Sequence, residues 1–216
     1  MKFGCDKDGC GPKKNAAQRL SETAKELFYK RGIRAVGVDE IVTHAGVTKP
    51  SLYRSFASKD ELVAAYLRDI LEESRASWVE RLARAPGDPR AQLSLILRDF
   101  AAKAACDDFR GCAFGNAAVE FPEADHIVHQ LSCEAKTELR ENFLTIIRQL
   151  PVREPELLAD GLMLLVEGTQ AARHVFCNQG PAASLVPVGE ALIDAFMDES
   201  RKRAPRQARA EPARSG

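Results

Sequence analysis

The 216-residue chain lacks the features that mark several classes of protein. No apolar run is long enough to span a bilayer, and the first ten residues, MKFGCDKDGC, lack the apolar stretch of a secretory signal. The catalytic patterns GxSxG and HExxH and the phosphate-binding loop GxxxxGK are also absent. We therefore expect a cytoplasmic protein that is not an enzyme, contacts no membrane, and has no catalytic residues and no cofactor.

The six cysteines have no repeated spacing, which argues against a disulfide framework. Cys112 follows Arg110, and a neighbouring cation can make a thiol redox-active, although a buried inert thiol is the alternative.

His126, His129 and Cys133 have metal-ligand spacing in adjacent pairs, but a helix separates the outer two by about 10 Å. We interpret them as ordinary helix-surface side chains and predict no metal site.

The formal net charge is zero, yet the charges are unevenly distributed along the chain. Residues 1–68 carry 13 Lys and Arg against 8 Asp and Glu, whereas residues 69–199 carry 12 against 22. The tail from residue 200 is basic again, with 6 against 1. A basic end attracts a phosphate backbone that an acidic body repels, so this distribution favours an oriented encounter with nucleic acid.

Residues 38–62 read as two short helices joined by a tight turn and followed by a third, capped helix. Gly46 permits the left-handed backbone that ends the first helix, and Thr48 is predicted to cap the second with its side chain. Pro50 fits the first turn of that helix, because an amide hydrogen there finds no intrahelical partner. The apolar spacing lets the pair close one small core, formed by Ile41, Ala45, Val47, Leu52 and Phe56.

The second of these helices keeps its polar side chains toward its start and outer surface, where they suit phosphates and base edges. Ser58 and Glu61 have capping-box spacing, which places Lys59 in a first helical turn that already favours anions. We predict Lys59 as a phosphate anchor. The other predicted DNA-binding residues are Thr48, Lys49, Ser51, Tyr53 and Arg54.

The segment AGVTKPSLYRSFASKDEL, residues 45–62, resembles the DNA-binding signature of the TetR family of transcriptional regulators. The likeness extends back through AKELFYKRG, residues 24–32, similar to the family's first helix. It implies that the helix carrying Tyr53 enters the major groove and that Tyr53 and Lys59 hold phosphates. Val36 and Gly37 depart from the pattern, because the family often has a Thr or Ser there that caps the second helix and touches a phosphate. We therefore expect this phosphate contact to rest on backbone amides alone.

After this region the chain contains helix formers interrupted by Pro and Gly, and no segment reads as a strand pair. Residues 162–166 are apolar on every side, so their helix requires burial on two faces. We expect one face to meet the domain core and the other a second copy of the chain, forming a four-helix bundle. Helices are predicted at 59–84, 90–106, 113–121, 125–149, 156–178 and 188–203, with the homodimer forming through the last two.

The predicted fold is therefore all-α, with an N-terminal three-helix helix-turn-helix DNA-binding domain and a C-terminal helical ligand-binding and dimerisation domain. The resemblance implies a homodimeric repressor on an inverted-repeat double-stranded DNA operator, released by a small-molecule effector. Aromatic side chains in the middle of the body are the candidate effector contacts, although plain core packing is the alternative: Trp78, Phe100, Phe114 and Phe143.

Four segments follow from this reading, together with three alternative functions. The segments are a flexible leader at 1–13, a DNA-binding domain at 14–74 with its helix-turn-helix at about 37–56, an effector-binding and dimerisation domain at 75–203, and a disordered basic tail at 204–216. The alternatives are the same fold with a cysteine-redox or metal input, a helical protein-binding adaptor, and a helical enzyme using dispersed residues.

Overall fold

The computed structural model describes residues 14–176 and 180–197, and within these ranges the chain forms helices joined by short connections, without a β-strand. The all-α expectation is confirmed. The predicted leader at 1–13 and tail at 204–216 lie outside the described residues. The helices are α1 Ala16–Arg31, α2 Val38–Ala45, α3 Lys49–Ser55, α4 Lys59–Ala83, α5 Pro89–Ala104, α6 Ala113–Glu120, α7 Ile127–Ile147, α8 Pro155–Phe176 and α9 Leu185–Phe196.

The chain divides into two compact units between Asp69 and Ile70, a boundary that falls within α4. Within the described ranges, none of the helices is both long and apolar enough to cross a membrane. The first unit contains α1 to α3 and the start of α4, and the second contains the remaining helices.

The first unit is built on α1, which begins at a reciprocal capping box. The Asn15 side chain accepts a hydrogen bond from the Gln18 amide, and the Gln18 side chain accepts one from the Asn15 amide. The ring of Phe28 meets that of Tyr66 edge-on, with centroids 5.6 Å apart. Apolar side chains of all four helices fill the small core, including Leu20, Ala24, Ile41, Ala45, Leu52, Leu62 and Leu67.

The second unit packs around one continuous apolar cluster in which α5, α7, α8 and α9 all take part. Trp78 and Phe143 make an edge-to-face contact within it, with ring centroids 5.7 Å apart and planes at 90°. The α8–α9 contact is close because Gly161 admits Leu192, whose Cδ2 lies only 2.9 Å from where a β-carbon at 161 would stand. Both helices therefore bury one face inside this unit.

The last helix differs at both ends from the predicted 188–203. It begins at Leu185, directly after a short 3-10 helix at Pro181–Ser184. Pro187 lies in the first turn of α9, where a missing amide hydrogen breaks no intrahelical bond. The helix ends at Phe196, because Met197 is extended and forms an isolated antiparallel bridge with Val152. The predicted residues from 198 onward lie outside the described part.

Candidate nucleic-acid interface

Helix α3 is held in place by the turn that precedes it and by one buried side chain. Gly46 ends α2 in the left-handed conformation, with φ +62° and ψ +39°, and its amide donates to the carbonyls of Thr43 and Val42. Leu52 has no exposed surface. Since Leu52 fixes which face of α3 points inward, the opposite face is presented to solvent.

Thr48 occupies the N-cap position of α3, but its predicted side-chain cap is wrong. Its hydroxyl oxygen lies 3.1 Å from the Ser51 hydroxyl instead, and Arg54 Nη2 donates to the same Ser51 oxygen over 3.1 Å. At the start of the helix, the Thr48 backbone carbonyl accepts hydrogen bonds from the Ser51 and Leu52 amides. The side chains of Thr48, Ser51 and Arg54 thus form one hydrogen-bonded series along α3, in which Ser51 is half-buried and the other two are exposed.

Lys49 and Tyr53 project from the exposed surface of α3, and Tyr53 is 53% exposed. The Lys49 ammonium is engaged by Asp39 from the first turn of α2, with 2.7 Å between Nζ and Oδ1. The hydrogen bond and the charge of Asp39 raise the pKa of Lys49. Lys49 therefore has an internal carboxylate as its partner on the surface of α3.

The start of α2 matches the departure expected at Gly37. Gly37 is the N-cap residue, with φ −85° and ψ +158°, and it offers no side-chain hydrogen bond. Its surroundings are open, since no described atom lies within 4 Å of a β-carbon built there. The first amides of α2 therefore lack a side-chain cap, which is the arrangement in which helix termini accept an anion.

Lys59 lies at the start of α4 and is half-buried. Its ammonium donates to the Ile33 carbonyl over 2.6 Å and sits 5.9 Å from the centre of the Phe28 ring. The Ser58 hydroxyl accepts from the Glu61 amide over 3.1 Å, so half of the predicted capping box forms, while the Glu61 carboxylate pairs with Arg68. Two neighbours on α1 and its following loop therefore position the Lys59 side chain.

The candidate effector residues lie in the second unit, mostly within its core. Trp78 and Phe143 pack against each other, Phe143 is fully buried, and Phe100 packs partly buried against the same cluster beneath Arg81. Phe114 is 7% exposed. An open groove of about 570 Å³ runs along α7 instead, and none of the four candidates lines it. The residues that line this groove are Ala124, His129, Gln130, Cys133, Glu134, Thr137 and Glu138.

Cys112 caps α6 by position and is half-buried. Its sulfur accepts a hydrogen bond from Lys136 Nζ over 3.1 Å, and the same ammonium pairs with Glu167 over 2.5 Å. Burial lowers the pKa of Lys136, but the nearby sulfur and the Glu167 carboxylate raise it more, so the net shift is upward. The cation in contact with the thiol thus comes from α7 and not from the sequence neighbour Arg110.

His126 and His129 both have structural contacts. His126 is the N-cap of α7 and not part of its face: its Nδ1 accepts from the Val128 amide over 3.2 Å and its ring stacks on Phe121 at 4.6 Å. His129 Nδ1 lies 3.0 Å from the Phe121 carbonyl oxygen. Among the residues with described positions, no group of three His, Cys, Asp or Glu side chains is placed to hold a metal ion.

Sequence reasoning missed three partners of the candidate residues: Asp39 beside Lys49, the Ile33 carbonyl beside Lys59, and Lys136 beside Cys112. Each joins residues at least ten positions apart on different elements, so no helical or strand period connects them. The one available signal was an acid in the first turn of α2 preceding a lysine at the start of α3.

The family model described as bacterial regulatory proteins, tetR family, matches residues 20–66. The chain is 37% identical over 89 residues to the HTH-type transcriptional activator FasR of Mycolicibacterium smegmatis, covering 41% of this chain and 40% of FasR. It is 45% identical over 73 residues to the HTH-type transcriptional repressor KstR2 of Mycobacterium tuberculosis, covering 29% of this chain and 36% of KstR2. The matches thus span about two fifths of these curated relatives.

Solved structures extend the likeness over nearly the whole chain. A TetR-family transcriptional regulator from Streptomyces coelicolor superposes with a TM-score of 0.81 at 28% identity, covering 85% of this chain and 96% of its own. A second structure, from Streptomyces avermitilis, gives a TM-score of 0.74 at 30% identity and covers 85% and 98% of the two chains.

Proposed function

The chain belongs to the TetR family of DNA-binding transcriptional regulators, which are not enzymes; from this premise we propose that it is a homodimeric repressor of an inverted-repeat operator, released by a small molecule. The DNA-binding residues are those of the α3 surface together with Lys59. KstR2 is named a repressor, which supports repression here, whereas FasR is named an activator. The observation that carries the dimer is an uncovered apolar surface on α8 and α9.

Helix α8 exposes apolar side chains on the side opposite its buried one. Leu164 is 72% exposed and Val175 is 74% exposed, whereas Leu162 and Val166 are fully buried. The exposed positions recur at intervals of three, four and seven residues, which places them on one helical face. This face, called here the α8 stripe, consists of Leu157, Leu164, Gly168, Ala171 and Val175.

Gly168 supports a close approach by another chain. It lies in the interior of α8, where glycine costs about 1 kcal/mol relative to alanine, yet no described atom lies within 4 Å of a β-carbon built there. Packing within the described part of the subunit therefore does not require a glycine at this position. A partner helix crossing the α8 stripe would make use of the missing side chain.

Helix α9 continues the same surface, because Val188, Ala191 and Ala195 are exposed at intervals of three and four residues. The two helices pack together through Gly161 and Leu192, so their exposed stripes lie side by side. Two such pairs related by a twofold axis form a four-helix bundle that buries all of these side chains. The axis would place two α3 helices about 34 to 36 Å apart, matching half-sites one helical turn apart.

The dimer is tested by Leu164→Asp, measured by analytical ultracentrifugation of the full chain. We expect a monomer with weakened operator affinity, because two carboxylates would be buried in an apolar interface. The matched control is Val119→Asp, since Val119 on α6 is 83% exposed but lies outside the stripe. A dimeric Leu164→Asp protein, or a monomeric Val119→Asp protein, would rule out this interface.

The operator is tested by selecting bound DNA from a random pool of duplexes with the parent protein. We expect an inverted repeat, because the twofold axis presents the same α3 surface to both half-sites. Repeating the selection with Arg54→Ala should change the preferred base at symmetric positions in both halves. A selected site without twofold symmetry would contradict the proposal.

The effector is proposed to enter the second unit beside the aromatic candidates Phe100 and Phe114, which lie nearer its surface than Phe143. The test is a screen of small apolar and aromatic compounds for a rise in melting temperature, followed by release of labelled operator. Hits should act on the parent and fail on Phe114→Asp, whereas Val119→Asp should still respond. Compounds that stabilise both variants equally would place the effector elsewhere.

The contact between Lys136 and Cys112 favours a second candidate input, oxidation of the thiol. Under this alternative, a hydroperoxide oxidises the Cys112 thiol to a sulfenic acid and is itself reduced to an alcohol, and the parent releases the operator. Cys112→Ser abolishes the response. Cys106→Ser is the control, because Cys106 is the more exposed thiol in the same loop region. Equal release from Cys112→Ser and the parent would eliminate the thiol input.

A further inference from the structure

The carboxylate of Asp39 lies within the surface that we assign to DNA. Asp39 is the second residue of α2 and Lys49 is the first residue of α3, so their ion pair spans the turn between the two helices. Both side chains are solvent-accessible, with 81% exposure for Asp39 and 51% for Lys49. A phosphate backbone approaching α3 would therefore meet a negative charge beside the lysine.

Folding stability gives a poor account of this arrangement. Exposed ion pairs contribute little to stability, because water screens the charges and the long side chain loses freedom. An acidic residue in the first turn favours α2 through the helix dipole without touching Lys49. Long-range attraction to DNA is weakened by the acid. The pairing of Asp39 with Lys49, a proposed DNA-binding residue, therefore needs another explanation.

We propose that Asp39 is a specificity-determining residue: it holds Lys49 as an internal counterion, so that Lys49 exchanges Asp39 for a base edge only on a matching sequence. This inference rests on the proposed function, since it requires that α3 reads the major groove. On a random duplex Asp39 acts through Lys49, and on a matching site its own carboxylate takes part as well.

The chemistry distinguishes matching from random DNA. On a random duplex, the phosphates compete with a carboxylate that is already 2.7 Å from the ammonium, so Lys49 adds little to counterion release. On a matching site, guanine O6 and N7 accept from the lysine, and a cytosine amino group can donate to the released carboxylate. The matching site therefore offers a new partner to both Lys49 and Asp39, whereas random DNA offers a new partner only to Lys49.

The test compares Asp39→Asn with the parent, as full chains, on two labelled duplexes: the selected operator and a random sequence. Fluorescence anisotropy is measured from 50 to 200 mM salt. For the variant we expect tighter binding to the random duplex, with a salt slope steeper by about 0.9 for each subunit that gains a phosphate contact. Over that range this amounts to about a 3.5-fold larger loss of affinity per subunit. The ratio of operator to random affinity should fall.

Glu26→Gln provides the matched control. It removes one carboxylate from an equally short exposed pair, because Glu26 Oε1 lies 2.7 Å from Lys30 Nζ on α1. The change in net charge is identical, so any general electrostatic effect appears in both variants. An equal gain in random binding for Glu26→Gln and Asp39→Asn would overturn the inference.

A double variant separates the lysine from the rest of the surface. In a Lys49→Met background, Asp39→Asn should no longer steepen the salt slope on the random duplex. An undiminished effect there would show that Asp39 does not act through Lys49.

If the parent binds the operator and Asp39→Asn leaves the ratio of operator to random affinity unchanged, the inference about Asp39 fails and the proposed function stands. If the parent binds no duplex at low salt, the proposed function fails as well.

Discussion

Replacing Lys59 with methionine separates two roles that the structure combines in one side chain. Lys59 Nζ donates to the Ile33 carbonyl over 2.6 Å above the Phe28 ring, which is a buttress for the first unit. The same ammonium is our proposed phosphate anchor. Methionine keeps most of the aliphatic stem and removes the charge, so both roles lose only their polar part.

The two roles of Lys59 predict changes in two different quantities, the free energy of unfolding and the salt slope of DNA binding. Loss of a half-buried charged hydrogen bond should lower the free energy of unfolding by about 1 kcal/mol, below the usual range for charged groups because water reaches the site. Loss of one phosphate contact in each of two subunits should reduce the salt slope of DNA binding by about 1.8 in magnitude. Between 50 and 200 mM salt, the parent would then lose about twelve-fold more affinity than the variant.

Thermal unfolding and anisotropy titrations of the same preparations measure both effects. The control is Lys30→Met, which removes an exposed charge from α1 and should leave the salt slope within error of the parent. A folded Lys59→Met protein with the slope of the parent would refute the phosphate contact and leave Lys59 only its role as a buttress. Equal affinity loss on operator and random duplexes is expected, because phosphate contacts carry no sequence information.

Three further substitutions have expected effects on thermal or urea unfolding. Gly46→Ala should destabilise the protein by about 1 to 2 kcal/mol, because an alanine side chain crowds the backbone at φ +62°. Phe143→Ala should cost about 3 to 5 kcal/mol, since it leaves a cavity against Trp78 in a fully buried position. Gly37→Ser should stabilise α2 by a few tenths of a kcal/mol, because a hydroxyl can cap amides that have no side-chain acceptor.

Each of these has its own control or contradicting result. Gly46→Asn should cost less than Gly46→Ala, because asparagine tolerates the left-handed conformation, and the reverse order would refute the backbone argument. Val119→Ala, at an exposed position, should change stability by less than about 0.5 kcal/mol. A Phe143→Ala protein as stable as Val119→Ala would mean that the residue lines a pre-existing cavity. An unchanged melting temperature for Gly37→Ser would mean that the hydroxyl does not cap α2.

Most of the helical layout was predictable because its signals are local. Gly46 ends α2 and Pro50 lies in the first turn of α3, as expected, since these residues restrict or release their own backbone. The end of α9 was mispredicted. Its last turn depends on the bridge between Met197 and Val152, which lies 45 positions away in the chain. Sequence periodicity carries no information about that pairing.

The sequence by itself determined the class of the protein: a succession of helices, a basic first third, and a signature dense enough to identify the family. These features follow from backbone preferences and charge, which each residue carries regardless of its neighbours in space. Only the tertiary structure decided what the polar side chains touch, because Asp39 meets Lys49 and Lys136 meets Cys112 through the packing of separate helices. Hydrogen bonds and ion pairs act over a few ångströms, so they exist only once the fold brings distant residues together.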